Sequence, residues 1–190
     1  MPRTEQQNQA LREESRANIL NHALALFARQ GYEQTTVRMI AQAAGVAQGL
    51  MYNYFDGKEA LLRALFEQSM ADVRASFEVA EAVEGPAQVE RLIAGAFALL
   101  RRNLDFWRLS YALRAQAAAL AGIGAELYGW TDSIRRTLEG YFRAKGSPAP
   151  EIEAAILFAL IDGVSQHYAL DPERYPLDAV TEALVARYRT

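Results

Sequence analysis

The chain has no cysteine, two histidines and two tryptophans among its 190 residues. The first absence excludes disulfides and thiolate metal sites, and a cytoplasmic setting is expected. His22 and His167 are isolated, and neither belongs to a Glu-x-x-His pair of the di-iron carboxylate kind. No glycine-rich phosphate loop and no nucleophile elbow occurs. The longest uninterrupted apolar run, 154–161, is far too short to span a membrane. No basic-plus-apolar signal segment opens the chain. An excess of positive charge is also missing. Residues 1–60 carry six basic and six acidic side chains, and residues 61–190 carry the whole net charge of −3. No broad positive face is therefore expected.

What is present is apolar sequence at helical spacing. Apolar residues make up 51% of the chain, ample for a packed core. No strand alternation, internal repeat or low-complexity tract is evident, so the fold class is all-α. After a polar segment at 1–10, a first helix is expected over 11–30, with Leu20, Ala23, Leu24 and Phe27 as its stripe and Gly31 as its end. Further helices are expected over 57–82, from 86 to 102, 103–121, 125–145, 151–170 and from 177 to 187. Glu-Gly-Pro at 84–86, Gly-Ser-Pro-Ala-Pro at 146–150 and Asp-Pro at 171–172 mark the breaks.

Residues 35–58 carry the most information. Val37, Ile40, Ala41 and Ala44 form one apolar face of a short helix. Thr35 or Thr36 can cap it, and Gly45 permits the sharp turn into a second helix holding Val46 and Met51. With Met51 inward, Gln48, Gly49, Tyr52 and Asn53 lie outward. Gln48 has the donor and acceptor for an adenine edge, and Gly49 lets a duplex approach the backbone. Tyr52 and Tyr54 can donate to phosphate oxygens, and Lys58, at the start of the following helix, can bind a phosphate. This is the arrangement of a helix-turn-helix that places its second helix in the major groove. A generic pair of core helices is the plain alternative.

The first sixty-odd residues resemble the DNA-binding domain of the TetR family of bacterial transcriptional regulators. The matching elements are Ala25-Leu26-Phe27-Ala28, Gly31-Tyr32, Thr35-Thr36-Val37, Ile40-Ala41, Ala44-Gly45-Val46, Tyr52, Tyr54-Phe55, and Lys58-Glu59 with Leu61-Leu62. The resemblance implies that Thr35, Tyr52, Tyr54 and Lys58 anchor phosphates, while Arg38, Gln48 and Gly49 sit near bases. Thr36 and Asn53 complete the expected DNA-facing set. The chain departs from the family pattern at Ala47, where a serine is common, so a capping hydroxyl is missing there. The implied organisation is an N-terminal three-helix DNA-binding domain over 1–56 and a C-terminal helical effector-binding and dimerisation domain over 57–190.

In the C-terminal part, the helix at 151–169 is apolar around much of its circumference, so more than one side must be covered. Ile152, Ile156, Leu160, Gly163 and His167 form one stripe, and Ala155, Ala159 and Gly163 are small enough for close helix approach. A second copy of the chain is the expected cover, against the alternative of a central helix in a monomer. The resemblance implies the same pairing, and two recognition helices ~34–36 Å apart would read a palindromic operator. On the helix at 103–121, Trp107, Tyr111, Arg114 and Ala118 share one face. A pocket lined by some of Phe97, Trp107, Tyr111, Arg114, Tyr128 and His167 is expected, with Arg114 favouring an acidic effector. The plain readings are a snorkelling arginine and an interface histidine. Gly122 and Gly124 would let the following helix shift when the pocket fills, tilting the helix that starts at 57.

The expected function is that of a ligand-responsive, homodimeric DNA-binding regulator, most simply a repressor released by a small, partly apolar effector. The partners are double-stranded DNA, the effector and a second copy, with no membrane, no metal and no cofactor. The alternative is an all-α small-molecule-binding protein or enzyme with an incidental helix-turn-helix.

Overall fold

A computed structural model of the chain describes residues 5–82, 86–115 and 124–188, and all described regular structure is helical. The chain divides into two compact units, Met1–Ser69 and Met70–Thr190. The division falls inside a helix, where the sequence places it at the helix start.

The N-terminal unit begins with α1 (Glu5–Gln30). It starts at Glu5 rather than at residue 11, because Glu, Gln and Ala sustain a helix without an apolar stripe. Ile19, Leu20, Ala23 and Phe27 are its buried residues. Next come α2 (Val37–Ala43), packed on α1, and α3 (Gln48–Met51), packed on α2. Thr36 caps α2, its hydroxyl accepting the Met39 N–H at 3.2 Å. Between α2 and α3, Gly45 takes φ +69°, and the Val46 N–H closes back on the Ala41 carbonyl at 3.0 Å. A Cβ at Gly45 would meet nothing within 4 Å, so glycine is required there by its φ angle and not by space. Asn18 holds the same corner, its side-chain amide donating to the Ala44 carbonyl at 2.9 Å. The helix α4 (Gly57–Glu81) gives this unit Leu61, Leu62, Leu65 and Phe66, all buried.

The C-terminal unit takes the rest of α4 together with α5 (Pro86–Arg102), α6 (Leu104–Arg114), α7 (Gly124–Ala144), α8 (Pro150–Leu170) and α9 (Leu177–Tyr188). α8 is central, packing against α5, α6, α7 and α9. One apolar core joins Val89, Ile93, Phe97 and Leu100 of α5 to Leu138 and Phe142 of α7, Ala154 and Leu157 of α8, and Leu184 and Val185 of α9. A second, smaller one is formed by Met70 and Val73 of α4 with Leu99 of α5. Each buried Leu, Ile or Phe contributes about 1.5–3 kcal/mol relative to exposure. Ala118 and Gly122, which the sequence assigns to the pocket face and the hinge, lie outside the described residues, and Gly124 begins α7.

Candidate nucleic-acid interface and effector face

The N-terminal unit presents one continuous polar edge. Ile40 and Ala41 of α2 and Met51 of α3 are buried, which turns the other faces of these short helices outward. Thr36 at the cap of α2 and Arg38 and Gln42 within it are exposed, as are Gln48, Gly49, Tyr52 and Asn53 from α3 and its exit, while Tyr54 is half-buried. A Cβ at Gly49 would meet nothing within 4 Å, so the space beside α3 is open to an approaching backbone or base. Ala47 precedes α3 without a side-chain cap, and the Leu50 and Met51 N–H groups close on its carbonyl.

Two expected phosphate anchors are arranged differently. Thr35 is 1% exposed. Its hydroxyl donates to the Gly31 carbonyl at 2.8 Å and accepts from the Gln30 side-chain amide at 3.2 Å. The side chain therefore braces the end of α1, and its expected role as a phosphate ligand is corrected to a structural one. Lys58 also turns inward. Its ammonium donates to the Tyr32 carbonyl at 2.8 Å and the Glu33 carbonyl at 3.4 Å, and lies 4.2 Å from the Tyr32 ring centre. Carbonyl oxygens and a ring face attract a cation as phosphate does, so in this state Lys58 staples α4 to the α1–α2 turn. Burial, with the neighbouring Glu59 and Glu33 carboxylates, pushes the Tyr32 hydroxyl up to about 12.

Leu50 is a residue that sequence reasoning missed. It stands 43% exposed on α3, between Gly49 and the buried Met51. The signal was available, since a residue adjacent to an inward Met on a helix is rotated ~100° away from the core. An exposed apolar side chain on a reading helix fits the methyl group of thymine.

In the C-terminal unit, α6 is tied to α8 at two levels, in antiparallel register. The Arg108 Nε donates to the Ala169 carbonyl at 2.8 Å. Arg114 Nη2 lies 2.8 Å from Asp162 Oδ1 and 3.0 Å from Oδ2. The Arg114 guanidinium also covers the Tyr111 ring at 4.9 Å. Burial, then the Asp162 charge, raise the Tyr111 pKa well above the usual phenol range. A carboxylate of the chain itself therefore holds the Arg114 guanidinium in this state.

Of the six expected pocket residues, Trp107, Tyr111 and Arg114 are neighbours, while Tyr128 and His167 stand at the surface. Phe97 is buried in the larger core, against which Trp107 also packs. Trp107 and Tyr111 are ring neighbours, with centroids 6.3 Å apart. Tyr128 is 63% exposed and lines an open depression of about 510 Å³ with Asp132, Arg135 and Phe158. His167 is exposed and stacks on Tyr175, with centroids 6.2 Å apart and planes 6° from parallel. The Trp107 indole Nε1 is buried and has no hydrogen-bond partner among the described residues. An unpaired buried N–H costs about 1–3 kcal/mol.

The outer side of α8 carries Ile152 at 62% exposure, Ile156 at 50% and Leu170 at 81%. Ala155, Ala159, Gln166 and His167 are exposed on the same helix, while Gly163 is half-buried. Leu160 leaves the expected stripe, since it packs against the larger core. No described helix is long and apolar enough to cross a membrane.

An all-α chain with a short helix-turn-helix edge in one unit and a helical bundle in the other defines a class of DNA-binding regulators. Residues 19–65 match the family described as bacterial regulatory proteins, tetR family, and residues 86–189 match the BetI-type transcriptional repressor C-terminal region. The chain belongs to the tetR family of bacterial regulatory proteins and is a ligand-responsive DNA-binding transcriptional regulator. It is similar to the fatty acid metabolism regulator protein of Bacillus subtilis (strain 168), at 25% identity over 174 residues, 88% of this chain and 90% of that protein. The HTH-type transcriptional repressor KstR2 of Rhodococcus jostii (strain RHA1) is 33% identical over 84 residues, 43% of this chain and 41% of that one. The crystal structure of the regulator FadR from Bacillus subtilis in complex with stearoyl-CoA shares the fold. It has a TM-score of 0.72 at 20% identity, over 92% of this chain and 97% of that one.

Proposed function

We propose that this regulator is a cytoplasmic, non-catalytic repressor that binds a palindromic operator as a homodimer and is released by a small, partly apolar effector. The observation that carries the reading is the joint exposure of Gln48, Gly49, Leu50, Tyr52 and Asn53 around an α3 anchored by a fully buried Met51. Gln48 and Leu50 then face bases, and Arg38 lies near them. Thr36, Tyr52, Asn53 and Tyr54 contact the phosphate backbone, and Lys58 exchanges its carbonyl partners for a phosphate on docking.

Dimerisation through the outer face of α8 supports the reading. Ile152, Ala155, Ile156, Ala159, Gly163 and His167 form a line with two exposed isoleucines, an arrangement that a second copy covers. A neutral N-terminal third binds weakly as one copy, and two copies on one duplex supply the missing contacts. In this reading the C-terminal domain begins with α4, so effector binding acts on the helix that carries Lys58. A coupling of ~1–3 kcal/mol gives roughly a 5–150-fold change in operator affinity.

Selection of bound duplexes from a random pool, repeated with a metabolite mixture, tests the proposal. The expected product is an inverted repeat whose recovery falls when the effector is present. Recovery of single half-sites would remove the homodimeric reading, and no enrichment at all would remove the operator reading.

A further inference from the structure

Trp107 stands on α6 where both apolar clusters of the C-terminal unit meet, packing against each of them. Its ring is in edge contact with Phe106 at 5.3 Å and neighbours Tyr111. An indole nitrogen can only donate, and here the donor is buried without an acceptor among the described residues. Native interiors pair such groups almost without exception. Phenylalanine would supply an apolar ring at this position without leaving a donor unpaired, so the N–H needs a purpose.

Both arginines of α6 have found partners within the chain. Arg108 is held by the Ala169 carbonyl, and Arg114 by both oxygens of Asp162. Trp107 shares the face of Tyr111 and Arg114, one and two turns away, yet its donor is not used by α8. Resting on the ligand-responsive reading above, we infer that the Trp107 Nε1–H anchors the effector, and that the effector presents a neutral hydrogen-bond acceptor on an apolar body. The acceptor class is a ketone, ester or amide carbonyl oxygen. A free carboxylate is disfavoured, because one indole donor does not replace its hydration and the nearby guanidinium is already neutralised by Asp162. This reverses the acidic effector that Arg114 alone predicts.

The test uses the full-length protein, 15N-labelled, with 2-nonanone, octanoate and octane as probes. Trp130→Phe distinguishes the two indole signals. The ketone is expected to move the Trp107 indole proton downfield, and octane to leave it in place. Calorimetry is expected to show the ketone bound about fivefold more weakly by Trp107→Phe, the effect of one net hydrogen bond. Octanoate is expected to bind at least tenfold more weakly than the ketone. An unmoved indole proton overturns the inference without recourse to a variant. So do equal ketone affinities in wild type and Trp107→Phe (the result if only water occupies the donor), tighter binding of octanoate, or no binding of the ketone up to its solubility limit. Operator binding by the same samples separates the two levels. A chain that binds its operator but ignores all three probes loses the anchor and keeps its regulatory role. A chain that selects no DNA loses the reading on which the anchor rests.

Discussion

Arg114 and Asp162, on facing helices, form an ion pair through both carboxylate oxygens, with each side chain about one-fifth exposed. The pair fixes the register of α6 on α8 and sets the electrostatics of the face that Trp107 shares. Gln166 adds a donor to the same carboxylate at 3.0 Å. Asp162→Asn leaves the guanidinium without its counter-charge. The expected loss in unfolding free energy is about 1–3 kcal/mol, reduced from the fully buried case by solvent at the edge of the pair. The same variant should gain affinity for octanoate, because the arginine becomes available to an outside carboxylate. Denaturant melts and calorimetry check the two parts, and unchanged octanoate affinity would show that the pair does not face the effector.

Lys58 and Tyr52 are expected to differ although both are assigned to phosphate. Tyr52 is 52% exposed, and Tyr52→Ala should weaken binding to all operator sequences alike without moving the melting temperature. Lys58 is engaged with two carbonyls and the Tyr32 ring before any DNA arrives. Lys58→Ala should therefore lower stability by about 1 kcal/mol as well as weakening operator binding. Equal melting temperatures for the two variants would remove the staple.

Alkaline pH tests the same corner. The Tyr32 hydroxyl is pushed up to about 12 in the folded chain, from an ordinary 10.0. Between these values the unfolded chain has lost the proton and the folded chain has kept it. The unfolded state therefore binds fewer protons, and stability falls as pH rises through this window. Below pH 10 the contribution is fully present. The expected loss by pH 12 is about 2 kcal/mol, and Tyr32→Phe should flatten that part of the profile. Melting curves at pH 9, 10, 11 and 12 for both chains measure the difference.

The helix-turn-helix was legible because its signals are local. Apolar residues at helical spacing, a glycine at φ +69° and a capping threonine all act within a few residues of each other. The roles of Thr35 and Lys58 were not legible, because sequence shows that a hydroxyl or an ammonium exists and not which carbonyl it meets. Gly31 and Tyr32 settle that only after α1 and α4 have packed. The same holds for Arg114. Its partner lies 48 positions away, and a one-dimensional stripe with two aromatics gives no hint of a carboxylate facing it from another helix. Leu160 shows the limit of a stripe drawn on an apolar helix. α8 is covered on several sides, so spacing alone does not say which line faces the core and which faces outward.

The outer line of α8 gives the last prediction. A Cβ on Gly163 would meet nothing within 4 Å of its own chain. Gly163→Arg should therefore leave each copy folded, while placing a long cation where a second copy is proposed to lie. Ile156→Glu applies the same logic from a side chain that is half exposed. Burying an unpaired charge at the centre of an apolar interface costs several kcal/mol, so both variants should sediment as monomers at micromolar concentration. Their operator affinity should fall by orders of magnitude, because each half-site is then bound alone. Circular dichroism unchanged from wild type would show that the loss comes from assembly and not from unfolding. Dimers of both variants at wild-type affinity would place the contact on another face of the C-terminal unit.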